Sequence, residues 1–302
     1  MTSARRLAPW LFLAPFLALF AVFWAWPLAR SLILSLHRTA GPQHETFVGF
    51  GNFAFLLGDP VFWKAVWNTS RYTVLFVICE LLIALALALA LHHPRLRLRG
   101  ALRFAFFSPH LVGGVFVGLL FSLLLAQRFG LVNVWLDHLS GMLHAVLPFI
   151  PESGAELNWG GRPELARLAV LIASLWLSVG YAMLFLLAAL QAIDGDLYEA
   201  AELDGARPWE RFLHITLPAL RPTLGFLALM GTIGAFQLFE LPYVLFQSGS
   251  GPDRATLTII MYLYQQGFET GDLGYAAAIG WAFTLMVMAL SVIQMRVMRG
   301  RE

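Results

Sequence analysis

The sequence predicts an all-α integral membrane protein with six transmembrane helices, and three observations carry that reading. Hydrophobic residues make up 59% of the 302 and charged residues 13%, with a mean hydropathy of +0.72, a balance that excludes a water-soluble globular enzyme. Five charge-free runs are long enough to cross a hydrocarbon core ~30 Å thick, and a sixth is interrupted by a single carboxylate. Lys and Arg concentrate in alternate loops, as chain orientation in a membrane requires. The net charge of +2 leaves no basic face for nucleic acid.

The first run, Leu7–Ala29, follows Arg5-Arg6 with the polarity of a signal peptide. It is longer than a signal h-region and lacks a small-x-small cleavage site, so it is expected to stay as the first span. Tyr72–Leu91 is the second span, broken only by Glu80, and its Leu, Ala and Ile stretch from Leu81 is a strong helix former in lipid. Phe104–Gln127, Leu168–Ile193, Pro222–Phe239 extended past Glu240 to about Phe246, and Leu273–Met295 complete the six. Helices satisfy every backbone polar group internally, which lipid demands.

With the N-terminus inside, the inner segments hold Arg5, Arg6, Arg95, Arg97, Arg99, Arg103, Arg207, Arg211, Arg221, Arg296, Arg299 and Arg301, twelve of the 20 Lys and Arg. Both termini are therefore expected on the cytoplasmic side. Of the three outer loops, Leu36–Arg71 carries Phe53, Phe55, Phe62, Trp63 and Trp67 and is expected to lie along the interface. The second, Arg128–Arg167, contains the apolar stretch Leu139–Ile150, too short to span and ended by Pro151. The third, Gln247–Asp272, is turn-rich at Ser248-Gly249-Ser250-Gly251-Pro252.

One polar segment has a defined internal design, Asp194 to Pro222 between the fourth and fifth spans. Asp194 or Asp196 can cap a helix over Leu197–Leu203, Gly205 can stop it in a left-handed conformation, and Pro208 suits the first turn of a second helix. The small pair Ala200-Ala201 leaves a low surface that another protein can approach closely, with Glu199, Glu202, Asp204 and Glu210 as acceptors for basic partners. Phe212, Ile215 and Leu220 recur at helical spacing and can anchor the second helix. An ordinary solvated loop is the plainer alternative.

The pattern Glu199-Ala200-Ala201, then Gly205, then Ile215-x-Leu217-Pro218, resembles the EAA signature of permease subunits in bacterial binding-protein-dependent ABC importers. Phe50-Gly51-Asn52-Phe53, Asp59-Pro60-x-Phe62-Trp63, Asn68-Thr69, Gly130-Leu131-x-Asn133, Trp176 to Gly180 and Gly251-Pro252 extend the likeness over nearly the whole chain. Together they resemble the carbohydrate-uptake branch, of the maltose and glycerol-phosphate importer type. That resemblance implies a type I importer permease fold, one permease domain over 1–302 with residues 194–222 as a cytoplasmic coupling hairpin, in the bacterial inner membrane. It implies docking on an ATPase subunit through Glu199, Ala200, Ala201, Asp204 and Gly205, supported by Ile215, Leu217 and Pro218. The implied partners are ATPase subunits carrying ATP and Mg, a second, non-identical permease, and an extracytoplasmic binding protein, with no cofactor in this chain. Asp194 stands where the family often has proline, Ser250 interrupts the usual Gly-Gly-Pro, and Leu139–Gly161 is atypical.

Other motifs fail on chemistry. The one lysine, Lys64, lies between Trp63 and Ala65 with no phosphate-cradling loop, so this chain is not expected to hydrolyse ATP. Leu139-Ser140-Gly141 looks superficially like an ATPase signature but continues Met142-Leu143. His92-His93 lacks companion ligands for a metal, and the single Cys79 excludes an internal disulfide. Asn68-Thr69-Ser70 reads as a helix start rather than a glycosylation site.

Glu80 and Glu240 are carboxylates inside apolar spans, where a charge costs roughly 2.5–3.5 kcal/mol on an insertion scale, and each is a candidate for either structure or function. For a polar solute pathway, Phe236, Gln237, Phe239, Glu240 and Tyr243 supply stacking faces and hydroxyl partners, although an aromatic stripe also serves packing. A gradient-driven transporter using Glu80 or Glu240 as a proton site and a permease for a non-sugar solute are the competing functional readings.

Overall fold

A computed structural model describes residues 3–39, 41, 44–93, 96, 98–127, 129–146, 158–247 and 249–299. Arg95, Arg97, Arg128, Ser248, Arg301 and positions 147–157 of the atypical stretch, Pro151 among them, lie outside the described residues. Among the described residues, five helices are long and apolar enough to cross a membrane: Phe12–Ser35, Pro60–His92, Pro163–Gln191, Pro208–Phe236 and Leu273–Arg296. A bent pair, Arg99–Leu111 and Gly114–Leu124, meeting at 101°, passes the same test when its two halves are taken together.

In chain order, α1 (Ser3–Phe20) passes through a π turn into α2 (Trp26–Ser35), and β1 (His37–Thr39) pairs antiparallel with β2 (Glu45–Phe47). Then come α3 (Gly51–Gly58), α4 (Pro60–His92), α5 (Arg99–Phe107), α6 (Gly114–Leu124), α7 (Leu131–Val146) and α8 (Pro163–Gln191). The chain continues through α9 (Gly195–Leu203), α10 (Pro208–Arg211), α11 (Leu217–Phe236), α12 (Glu240–Leu245), α13 (Ile259–Tyr264) and α14 (Leu273–Arg299).

Three expectations from the sequence are corrected. The span expected from Phe104 to Gln127 is not straight: Pro109 and the pair Gly113-Gly114 break it, and the two halves turn sharply. The helix expected to run from Pro222 to about Phe246 stops at Phe236 and restarts at Glu240. The second span begins at Pro60 rather than Tyr72, so Phe62, Trp63 and Trp67 ride on α4 instead of an interfacial loop.

Two compact units form, residues 1–63 with 262–286 and residues 64–261 with 287–302. In the first, polar side chains lock the chain segments together. Asn52 Nδ2 donates to the carbonyls of Ser35 at 2.9 Å and His37 at 2.8 Å. Asp59, buried, caps α4 by accepting the Val61 N–H at 2.8 Å and takes the hydroxyls of Tyr275 at 2.6 Å and Tyr262. Gly274 is a glycine because a Cβ there would strike the carbonyl of His37.

In the second unit, Ala84 and Ala88 on α4, one helical turn apart, meet Val179, Ala182, Met183 and Leu186 on α8 and Leu220 and Leu227 on α11. Small residues let helix backbones approach where apolar lipid supplies no hydrophobic drive. Gly180 serves the same end, since a Cβ would occupy the carbonyl of Phe106, and a Cβ at Gly118 would meet Val244 at 3.0 Å. A second cluster joins Val117 and Phe121 on α6, Ala169, Val170 and Ala173 on α8, and Leu241 and Leu245 on α12. Trp159 belongs to it and donates its indole N–H to Asn133 at 3.0 Å, tying the described end of the atypical stretch to α7. Asn68 donates to the carbonyls of Arg254 and Leu257, and Thr69 accepts the Ile259 N–H.

Burial alone would raise the Asp59 carboxyl, but the two phenols and the backbone N–H groups outweigh it and hold the acid below its ordinary value. A depressed carboxylate stabilises the fold fully above its unfolded pKa and loses that contribution as pH falls through the folded one. Asp59→Asn is expected to cost about 1–3 kcal/mol at pH 7 and to remove the part of the stability loss that sets in below about pH 4. Thermal unfolding of the purified protein against pH checks both.

Candidate translocation cavity and docking hairpin

The broken α11 to α12 segment opens a cavity of about 600 Å³ within the second unit, in the range of small-molecule sites. The break has a physical cause. A proline at 242 in a continuous helix would press on the carbonyl of Leu238 and offer it no N–H. The chain turns out of the helix at Gln237 to Phe239, and the freed Leu238 carbonyl accepts the hydroxyl of Thr258 at 2.8 Å.

Helical spacing sets the other walls. Tyr72, Phe76 and Glu80 stand at i, i+4 and i+8 on one face of α4, and Ser174, Ser178 and Tyr181 at i, i+4 and i+7 on α8. Gly231 and Gly234 on α11 leave room, His110 comes from the turn between α5 and α6, and Gln237, Phe239 and Glu240 come from the break. A Cβ at Gly231 would lie 2.9 Å from Glu80 Oε2, and one at Gly114 would lie 3.3 Å from Glu240 Oε2. The two carboxylates that the sequence singles out therefore border one space.

Glu80 is buried, with the Ser178 hydroxyl beside it but short of good hydrogen-bond geometry. The His110 imidazole stacks on Tyr181 with ring centroids 4.7 Å apart, and Tyr72 stacks on Phe76 at 5.5 Å. Two carboxylates, a histidine, an amide, hydroxyls and aromatic faces thus line the cavity, and no Lys or Arg does so among the described residues. That chemistry suits a polyhydroxylated solute, with rings for stacking and acceptors for hydroxyl protons.

Of the pathway residues expected from the sequence, Gln237, Phe239 and Glu240 line the cavity. Phe236 and Tyr243 do not: Phe236 is buried at the end of α11, and Tyr243 packs its ring on Phe239 at 5.1 Å. Sequence reasoning missed Tyr72, His110, Ser178 and Tyr181. The signal was present in the hydroxyl stripe Ser174, Ser178, Tyr181 inside an otherwise apolar span.

The second candidate site is α9. Asp194 caps it, its carboxylate accepting the Asp196 N–H at 3.1 Å, and Gly205 ends it at φ +80° with the Ala206 N–H reaching back to the Ala201 carbonyl. No residue of α9 is buried, and Glu199, Ala200, Asp204 and Gly205 are exposed, as are Leu203 and Trp209 beside them. Ala201, Ile215, Leu217 and Pro218 are half-buried. Tyr198 shares a hydrogen bond of 2.8 Å with buried Thr216, and Arg211 pairs with Glu202 at 2.8 Å. The exposed ion pair adds little; the Tyr198 to Thr216 bond fixes α9 to the following helix. That helix runs unbroken from Pro208 to Phe236, with a π turn at Phe212–Thr216 just ahead of Pro218.

Residues 80–300 match the family described as the binding-protein-dependent transport system inner membrane component. This chain belongs to that family. It is 37% identical over 294 residues to the lactose transport system permease protein of Rhizobium radiobacter, covering 97% of this chain and 94% of that one. It is 34% identical to the arabinooligosaccharides transport system permease protein of Bacillus subtilis, covering 97% and 89%, and 33% identical to the trehalose/maltose transport system permease protein of Thermococcus litoralis, covering 97% and 94%. In fold it is similar to a chain of the crystal structure of a bacterial ABC transporter that imports alginate, with a TM-score of 0.79 at 22% identity, covering 98% and 96%.

As an inner-membrane component of an importer, the chain needs its cavity open to a solute. Gly231→Val would push a branched side chain against Glu80 and is expected to lower uptake at least about tenfold, equal to ~1.4 kcal/mol, while the assembly elutes unchanged on size exclusion. Unaltered uptake by that variant would remove the cavity from the pathway.

Proposed function

We propose that the chain is the carbohydrate-conducting permease subunit of an ATP-driven importer, with α9 as its docking element for a cytoplasmic ATPase. One observation carries the docking reading: α9 is fully capped yet none of its residues is buried, and it is bonded to the start of an uninterrupted helix whose far end opens the cavity. A helix that offers Ala200 and Ala201 between Glu199 and Asp204 fits a groove with basic edges. Ile215, Leu217 and Pro218 hold its base. ATP and Mg belong to the partner subunits, and this chain does not itself catalyse hydrolysis.

On this reading the hairpin and both termini face the cytoplasm of a bacterial cell, in its inner membrane. A second, non-identical permease completes the pathway, and a binding protein on the other face delivers the solute. The names of the lactose, arabinooligosaccharide and trehalose/maltose relatives support a sugar as cargo. The cavity narrows the class: two carboxylates with no lining Lys or Arg among the described residues favour a neutral sugar over an acidic one. Nucleotide closure in the ATPase pair would drag α9, swing the helix behind it and change which side the cavity opens to.

Gly205→Val tests the lever. A Cβ at Gly205 meets open space, so the substitution strains the backbone at φ +80° without a clash, at a cost of about 1–3 kcal/mol. The variant is expected to co-purify less ATPase subunit, or to retain it with hydrolysis no longer stimulated by binding protein and sugar. Full uptake with normal stimulation would count decisively against α9 as the coupling element.

A further inference from the structure

A second recess, of about 200 Å³, lies in the same unit between the first part of α4, the start of α8 and residues 255–258. Arg167 is 24 residues ahead of the end of α8, so the recess sits about 36 Å along that helix from the docking hairpin. Tyr72, Leu75, Leu168 and Leu171 form its apolar walls, and Leu75 and Leu168 are exposed on the outer surface of membrane-spanning helices.

Its polar groups are Arg71, Arg167, Glu164, Asn68 and two threonines. Neither arginine has a carboxylate within ion-pair distance among the described residues, Glu164 included. The Arg167 Nε is shut off from solvent with no hydrogen-bond partner, and so is the Oγ1 of Thr256, whose residue is 6% exposed. Buried polar atoms left open in this way are costly, and both belong to residues that line the recess.

The charges at the recess, two guanidiniums and one carboxylate, sum to one positive charge. A phosphodiester brings one negative charge and acceptor oxygens that suit guanidinium forks. A free anion would have no use for the leucine wall, which runs along the spans where an acyl chain lies. We propose that this recess binds an anionic membrane phospholipid, its phosphate held by Arg71 and Arg167 and one acyl chain laid along Leu75 and Leu168. The recess adjoins the solute cavity at Tyr72 and Leu238, which line both, and lies apart from the docking hairpin.

The test is native mass spectrometry of the intact importer complex in detergent, titrated with phosphatidylglycerol, phosphatidylethanolamine or inorganic phosphate. Arg71→Gln with Arg167→Gln is expected to weaken phosphatidylglycerol binding about thirtyfold, which is ~2 kcal/mol at ~1.4 kcal/mol per factor of ten. Leu75→Trp, which fills the recess and keeps both charges, should also abolish retention of the lipid, and it decides the matter if the double variant does not assemble. Phosphatidylethanolamine should bind more weakly, because its zwitterion leaves one positive charge uncancelled. Equal lipid binding by wild type and variants would overturn the proposal. So would inorganic phosphate competing the lipid off at equal concentration, which would make the recess a site for a soluble anion.

Discussion

Pro242 cannot continue a helix that reaches it from Pro208, because its ring excludes the carbonyl of Leu238 and it has no N–H to give. In lipid an unpaired carbonyl is expensive, and the bundle answers with the Thr258 hydroxyl. Once that bond is made, the chain can leave the helix at Gln237 and resume at Glu240, and an irregular stretch of backbone stands at membrane depth beside a cavity. Such backbone is tolerated where it lines a polar space inside the protein. The cavity, the convergence of Glu240 on Glu80 and the free end of the long helix all follow from this interruption.

The same helix connects two chemistries that never touch. At one end, α9 carries exposed acids and small residues on a rigid cap; at the other, the break delivers an amide, an aromatic ring and a carboxylate to the cavity. Between them lie 29 residues, about 44 Å of helix, with a π turn absorbing Pro218 and Pro222 tolerated inside the helix. Force applied at the cap needs a stiff path to matter at the cavity, and the hydrogen bond between Tyr198 and Thr216 joins the cap to that path. Glycines fix the remaining tolerances, Gly180 against the carbonyl of Phe106 and Gly231 beneath Glu80.

Much of this was legible in the sequence, and the reasons differ by element. Spans are long-range apolar runs, and capping is local chemistry, so the spans and a helix over Leu197–Leu203 capped by Asp194 or Asp196 could be read directly, and the structure selects Asp194 and starts the helix at Gly195. The roles of Asn52, Asp59, Asn68 and Thr69 could not. They bond to backbone or side chains that are distant in sequence, as Asp59 does to Tyr262 and Tyr275 and Asn68 to Arg254 and Leu257. The bends escaped because hydropathy averages over a window, and a glycine pair or a proline changes direction without changing hydropathy. Gln237, Phe239 and Glu240 could be picked as polar and aromatic residues in an apolar run. Their lining partners Ser178 and Tyr181 needed a helical periodicity within a span, and His110 needed the fold.

The claim that α9 and the helix behind it move as one body can be measured as distances between spin labels in the assembled complex, on a Cys79→Ser background. Leu203 and Met230 are exposed label sites at either end of the lever, and Leu82 is an exposed reference on α4. On addition of ATP the Leu203 to Met230 distance should hold while the Met230 to Leu82 distance changes. A Leu203 to Met230 distance that shifts while Met230 to Leu82 stays fixed would contradict the account, because the cap would then move without carrying the cavity wall.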